Sequence, residues 1–176
     1  MSVSTINQFL GILTLASLTL MATIIICSLI SKDAKRDILN FLSKRAIKLA
    51  FLIALASMVG SLFYSDIAGY SPCKLCWYQR IFMYPQVILL GLALYKKEKH
   101  IIGYSLALSL VGFIIAGYHY LMQIGWVPAL NCAALGYSVS CAKEFVMQFG
   151  FITIPMMSLT AFSLMILLLI TAKLKK

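Results

Sequence analysis

Long uncharged apolar runs alternate along this chain with short clusters of charge. No Asp, Glu, Lys or Arg precedes Lys32. At about 1.5 Å per helical residue, Ile6–Ile30 is long enough for a hydrocarbon core of about 30 Å. This run lacks the basic n-region of a secretory signal and is too long for its apolar segment, so it reads as a membrane span. A second run extends from Leu49 to Ser65, ending near Asp66. A third, Ile81–Tyr95, gives only roughly 22 Å of helix; begun near Leu75 it reaches about 31 Å and takes in Arg80. The fourth runs from Ile101 to about Gly125, with His119 near its end, and the fifth from about Phe149 to Thr171. The pattern predicts five transmembrane helices.

Composition agrees. The chain has 176 residues, 62% hydrophobic and 11% charged, whereas soluble domains are about 45–50% apolar and about 25% charged. Too few polar side chains remain to cover a water-facing surface. Disorder is excluded by 12% aromatic residues and the Leu/Ile runs. The net charge of +10 would suggest a nucleic-acid partner on a soluble chain. Its distribution argues for the lipid bilayer instead. Twelve of the 15 basic residues fall in 32–48, 96–100 and the C-terminal tail, all on one side of a five-span arrangement; Lys74, Arg80 and Lys143 fall on the other. The positive-inside rule places the richer side in the cytoplasm, the N-terminus outside and the C-terminus inside. The charge then serves orientation and anionic-lipid contact, with no nucleic acid. Segment 32–48 reads as a cytoplasmic loop, in which Asp37–Lys48 suits a short interfacial helix. No internal repeat or low-complexity linker interrupts the runs.

Of the five cysteines, Cys27 falls near the cytoplasmic end of the first span and suits a small buried apolar role. The other four fall outside: Cys73 and Cys76 between spans two and three, Cys132 and Cys141 between spans four and five. An even set on the oxidising face points to disulfide chemistry. Three readings stand beside one another. Two structural disulfides would make a membrane scaffold without catalysis, although the tight CxxC ring adds little loop-closure entropy. A four-cysteine metal site would depart from the usual paired CxxC spacing and suits the oxidising face poorly. Redox exchange wants a CxxC with a readily formed thiolate.

The neighbours of the CxxC bear on this choice. With the third helix begun near Leu75, Cys76 sits in its first turn and Arg80 one turn later on the same face. A helix N-terminus and a guanidinium both stabilise a thiolate. Snorkelling to lipid phosphate is the other use for Arg80 at that depth. Pro85 lies deeper and suits a packing kink. His119 is about 27 Å along the fourth helix, at the depth of Arg80. Flanked by Tyr118 and Tyr120, it suits either an interfacial belt or a hydrogen bond to a polar head group whose tail lies in lipid.

The stretch Pro72-Cys73-Lys74-Leu75-Cys76-Trp77-Tyr78-Gln79-Arg80 resembles the signature of the DsbB family of membrane thiol:quinone oxidoreductases, especially its BdbC-like branch. The likeness covers roughly Arg45 to Lys176: four spans, two outward cysteine pairs and the CxxCxxxR order. His119, 13 residues before Cys132, matches a family histidine ahead of the second pair, and Gly150–Pro155 looks like the start of that branch's last span. The vitamin K epoxide reductase family shares related chemistry, but the pair order here fits DsbB better. The resemblance implies an all-α integral membrane protein: a four-helix transmembrane bundle in 45–176, plus an extra N-terminal transmembrane helix and cytoplasmic loop in 1–44. That first helix has no counterpart in the four-span core. The second pair is also separated by only eight residues, closer than in the best-known members.

The implied activity is oxidation of protein dithiols, with electrons passed to a membrane quinone, ubiquinone or menaquinone, as cofactor. The implied partner is a thioredoxin-like thiol oxidase of the DsbA/BdbD type on the extracytoplasmic face. Its thiolate would attack the Cys132–Cys141 disulfide at Cys132, and the reduced pair would exchange with Cys73–Cys76. Cys76 would face the quinone, Cys73 would resolve, and Arg80 would stabilise negative charge. His119 would hydrogen-bond a quinone oxygen. Each tenfold equilibrium advantage in such a two-electron exchange takes about 30 mV, so the oxidation of a strongly oxidising partner needs a high-potential sink.

Overall fold

The structure, a computed structural model, describes residues 2–98, 100–128 and 140–174. Five long helices account for most of them: α1 Val3–Ile30, α2 Lys32–Leu62, α3 Lys74–Lys96, α4 Ile101–Gln123 and α5 Ile154–Leu174. A π-helical turn, Phe63–Ile67, prolongs α2. Two two-residue strands, β1 Met147–Gln148 and β2 Ile152–Thr153, pair antiparallel just ahead of α5. The architecture is otherwise all-α. Among the described residues, four helices are long and apolar enough to cross a membrane: α1, α2 with its π-turn, α4 and α5. The 23-residue α3 carries Lys74, Arg80 and Lys96 and is not among those four.

Only Ser31 separates α1 from α2. Its extended backbone (φ −131°, ψ 125°) breaks the first helix, and its hydroxyl accepts from the Ala34 N–H to start the second. Segment 32–48 is therefore not a loop with an interfacial helix. It is the first half of α2, continuous with the apolar second span. Its basic side chains can stay in water on a helix of 31 residues, about 46 Å long and well beyond the hydrocarbon thickness.

α2, α3, α4 and α5 form a ring in which each helix packs on the next and α5 closes on α2. Small residues allow the close approach. Ala46, Ala50 and Ala54 line one face of α2 and are fully buried, the small-residue packing common between helices in lipid. A Cβ on Gly112 of α4 would overlap the Phe162 ring of α5. Gln86 and Ser109 are buried at the α3–α4 seam, where the Ser109 hydroxyl donates to Gln86 Oε1 at 3.0 Å. Pro85 lies inside α3 without ending it. α1 stands outside the ring, against α2 and α5.

The fifth helix starts later than its apolar run. Phe149 (φ 53°) and Gly150 (φ 78°) adopt left-handed backbone, which an α-helix cannot include. Residues 147–153 make the hairpin instead, and Pro155, one residue into α5, suits a helix start where its missing N–H costs nothing. Gly150–Pro155 is thus a turn, a short strand and the first two residues of the last helix.

Candidate functional site

The CxxC lies where α3 begins. Cys73 is the N-cap residue in extended conformation, and its carbonyl accepts from the Trp77 N–H at 3.1 Å, the first turn of the helix. Residues three apart on a helix share a face, and the Cys73 and Cys76 sulfurs lie 3.4 Å apart, with the Cys73 thiol donating. Cys76 therefore receives that hydrogen bond at the positive end of the α3 dipole. Its hydrogen bond to Cys76, together with burial, pushes the Cys73 thiol up to about 12, and His119 opposes the shift.

His119 is 2% exposed. Gln79 Nε2 donates to its Nδ1 at 3.0 Å, so Nε2 carries the proton and donates to the Cys141 carbonyl at 3.0 Å. The same Nε2–H is 3.6 Å from Cys73 Sγ. Cys141 is buried in one cluster with Cys73, Leu75 and Met122, and Cys76 packs against it. α4 thus holds the Cys141 backbone beside the CxxC through His119. A small cavity of about 20 Å³ lies between Cys73, Cys76, His119 and Pro155. Cys132 lies outside the described residues. Cys27 is partly buried in the last turns of α1, away from this cluster.

On its other side Cys76 opens onto a cavity of about 290 Å³. Its polar end holds Cys76, Gln79, Arg80, Ser61 and Tyr84, and the rest of its wall is mostly apolar. Arg80 is tied inward. Its Nε donates to Ser61 Oγ and its Nη2 to the Ser61 carbonyl, both at 3.0 Å, and the guanidinium lies 5.1 Å from the Trp77 ring centre. Tyr84 adds a hydrogen bond to Ser61 Oγ at 3.2 Å. Stacked rings of Tyr64, Tyr70 and Phe145, with centroids 5.8 and 5.1 Å apart, close one side.

The structure thus brings Cys73, Cys76, Arg80, His119 and Cys141 together but divides their surroundings. Arg80 lines the large cavity with Cys76. His119 does not line it; it faces Cys73 and the Cys141 backbone. Cys73, Cys76 and His119 also present ligand atoms within 4.8 Å of one another, a spacing that a metal ion could bridge. Ser61 and Gln79 are the site residues that sequence reasoning missed. Gln79 had a signal, one turn beyond Cys76 in the quoted stretch. Ser61 had none, because only tertiary packing sets it against Arg80.

Paired thiols at a helix start, beside an apolar cavity in a bundle of membrane-length helices, suit thiol–disulfide exchange at a membrane. The chain matches the profile of disulfide bond formation protein DsbB over residues 43–172. It belongs to the DsbB family and is a membrane protein of disulfide bond formation. It is 39% identical over 126 residues to disulfide bond formation protein C of Bacillus subtilis, covering 70% of this chain and 89% of that protein. A probable disulfide formation protein C of Halalkalibacterium halodurans is 44% identical over 114 residues, covering 64% and 82%. The SPbeta prophage-derived disulfide bond formation protein B of Bacillus subtilis is 46% identical over 116 residues, covering 66% and 77%. No solved structure matches.

Proposed function

We propose that this protein reoxidises an extracytoplasmic thioredoxin-like thiol oxidase and delivers the electrons to a membrane quinone. One observation carries the reading: the two sulfurs of the CxxC serve different surroundings. Cys73 is packed with Cys141 and His119, while Cys76 also lines a large apolar cavity with an anchored guanidinium at its polar end. Such a cavity fits a molecule with a polar ring and an apolar tail. Cys76 and Arg80 would hold the ring end, and the apolar wall would take the tail. A quinone, when bound, supplies a two-electron, two-proton sink.

The protein's own residues account for the rest. A partner thiolate attacks the Cys132–Cys141 disulfide at Cys132, forming a mixed disulfide and releasing the Cys141 sulfur. The partner's second thiol resolves the mixed disulfide, which leaves Cys132 and Cys141 reduced and the partner oxidised. Cys141, the member of the second pair buried against Cys73, then attacks Cys73 of the Cys73–Cys76 disulfide and displaces Cys76. The displaced Cys76 sulfur is stabilised by the helix N-terminus and by Arg80. Cys132 resolves the Cys73–Cys141 bond, which leaves the CxxC reduced and the second pair oxidised. We assign His119 to this sulfur relay and not to the quinone, since its Nε2–H faces Cys73 Sγ and the Cys141 carbonyl.

The orientation that fits this role has five spans, the N-terminus outside, the C-terminus and most lysines in the cytoplasm, and both cysteine pairs outside. Residues 1–44 then form an addition to the DsbB-like bundle of 45–176. Trapping tests the relay: the protein with Cys132–Cys141 oxidised, mixed with a reduced partner that lacks its second thiol, should accumulate a mixed disulfide through Cys132 as Cys141 is released. Failure to trap it, with full activity retained in Cys73→Ser or Cys76→Ser, contradicts the reading and returns the chain to a scaffold with structural disulfides.

A further inference from the structure

The cavity beside Cys76 has four helical walls. α3 faces it with Cys76, Gln79, Arg80 and Met83, and α2 and α5 present stripes of the same helical spacing. α1 does likewise: Leu10, Leu13, Thr14 and Ser17 line the cavity, at the i, i+3, i+4, i+7 positions of a single helix face. α1 lies outside the residues matched to the family, 43–172. Side chains of the appended helix therefore stand on one flank of the site.

Specific packing fixes α1 there. A Cβ on Gly11 would lie 3.1 Å from Gln148 Cβ and 3.2 Å from its Cγ, so the absence of a side chain lets α1 seat on the β-hairpin. Leu10 lies against Gly60 of α2, and Thr14 is only 7% exposed. The outward positions Phe9, Ile12 and Leu20 stay more than half exposed, as a lipid-facing side would.

The α1 hydroxyls do not offer hydrogen bonds to a ring. Thr14 Oγ1 donates to the Leu10 carbonyl and Ser17 Oγ to the Leu13 carbonyl, both at 2.8 Å. The cationic donor in the cavity is Arg80 of α3. The α1 flank offers leucine side chains, a threonine methyl and internally bonded hydroxyls, a surface suited to alkyl groups.

We propose that α1 is part of the acceptor-binding site, its Leu10, Leu13, Thr14 and Ser17 contacting the ring substituents and first tail carbons of the quinone and so setting which quinone the site admits. This rests on the reading of the cavity as a quinone site. The added helix is then a specificity element as well as an anchor.

The test uses the full-length protein in lipid nanodiscs and an azido-benzoquinone with a short alkyl tail, photoactivated with and without excess unlabelled short-chain quinone. Peptides from 3–30 should carry label that the competitor displaces, alongside labelled peptides of α2, α3 or α5. Ser17→Phe should weaken binding of the unlabelled quinone at least tenfold, while Leu20→Phe on the lipid side should leave it unchanged. Displaceable label on the other helices but none on 3–30, with Ser17→Phe binding normally, would overturn the role of α1 and leave the quinone reading intact. No displaceable label anywhere would overturn the quinone reading and this inference with it.

Discussion

Two neighbouring sulfurs on one helical turn have unequal surroundings. Cys73 is buried, donates to Cys76, and is pushed up to about 12. In the reduced protein it stays a thiol at every physiological pH. Its reactivity should be nearly absent at neutral pH and rise tenfold per pH unit until about 12. Iodoacetamide at pH near 7.5 should therefore modify Cys76 first, as read by mass spectrometry of the reduced protein; equal rates would contradict the assignment. His119→Ala removes the one group that opposes the shift, so alkylation of Cys73 at a fixed alkaline pH should slow further. Ser61 acts through another residue. Ser61→Ala removes the shared acceptor of Arg80 Nε and Tyr84 OH, so Arg80 loses one hydrogen bond but keeps the backbone carbonyl that holds Nη2. One lost hydrogen bond of about 1 kcal/mol corresponds to about fivefold in the apparent KM for quinone, with kcat little changed. An unchanged KM would mean that Arg80 orients without Ser61.

Helix seams set where these residues stand. His119 reaches Cys73 because α4 lies against both α3 and α5, and the α4–α5 approach depends on Gly112 beneath Phe162. Gly112→Val should cost about 1–3 kcal/mol as an overpacked core position. It should lower the thermal midpoint in detergent, and Phe162→Ala in the same chain should restore part of the loss. If Gly112→Val alone unfolds like the parent, the seam is less tight than the structure draws it. At the α3–α4 seam, Ser109→Ala should cost about 0.6 kcal/mol, a typical hydrogen bond between membrane helices.

Hydropathy made α1, α4, α5 and the second half of α2 legible, because lipid demands long unbroken apolar segments. It failed where polarity and backbone geometry decide instead. Segment 32–48 is charged yet helical, since nothing before Phe63 interrupts the helix that Ser31 starts. Phe149 and Phe151 are apolar yet belong to a turn and strand, because Phe149 and Gly150 adopt left-handed backbone. The site was legible where it is local. Cys73, Cys76 and Arg80 lie within one stretch, whereas Ser61 and the α1 flank meet them only through tertiary packing.

On the proposed function, the whole molecule would carry electrons between two phases. At one end Cys73 and Cys141 are packed together with His119, and the other side of Cys76 opens onto an apolar cavity. That arrangement requires the pairs to share one face of the membrane. An impermeant thiol reagent applied to intact cells, after mild reduction, should label outer cysteines other than Cys73 and miss Cys27; labelling only after permeabilisation would invert the orientation. The central claim is the electron path itself. The most direct measurement is stoichiometry in proteoliposomes supplied with a reduced thioredoxin-like oxidase and a quinone, following partner dithiol and quinone absorbance together. One quinone should be reduced per partner disulfide formed, and neither change should turn over in Cys76→Ser. Partner oxidation without quinone reduction, or quinone reduction that survives Cys76→Ser, would contradict it.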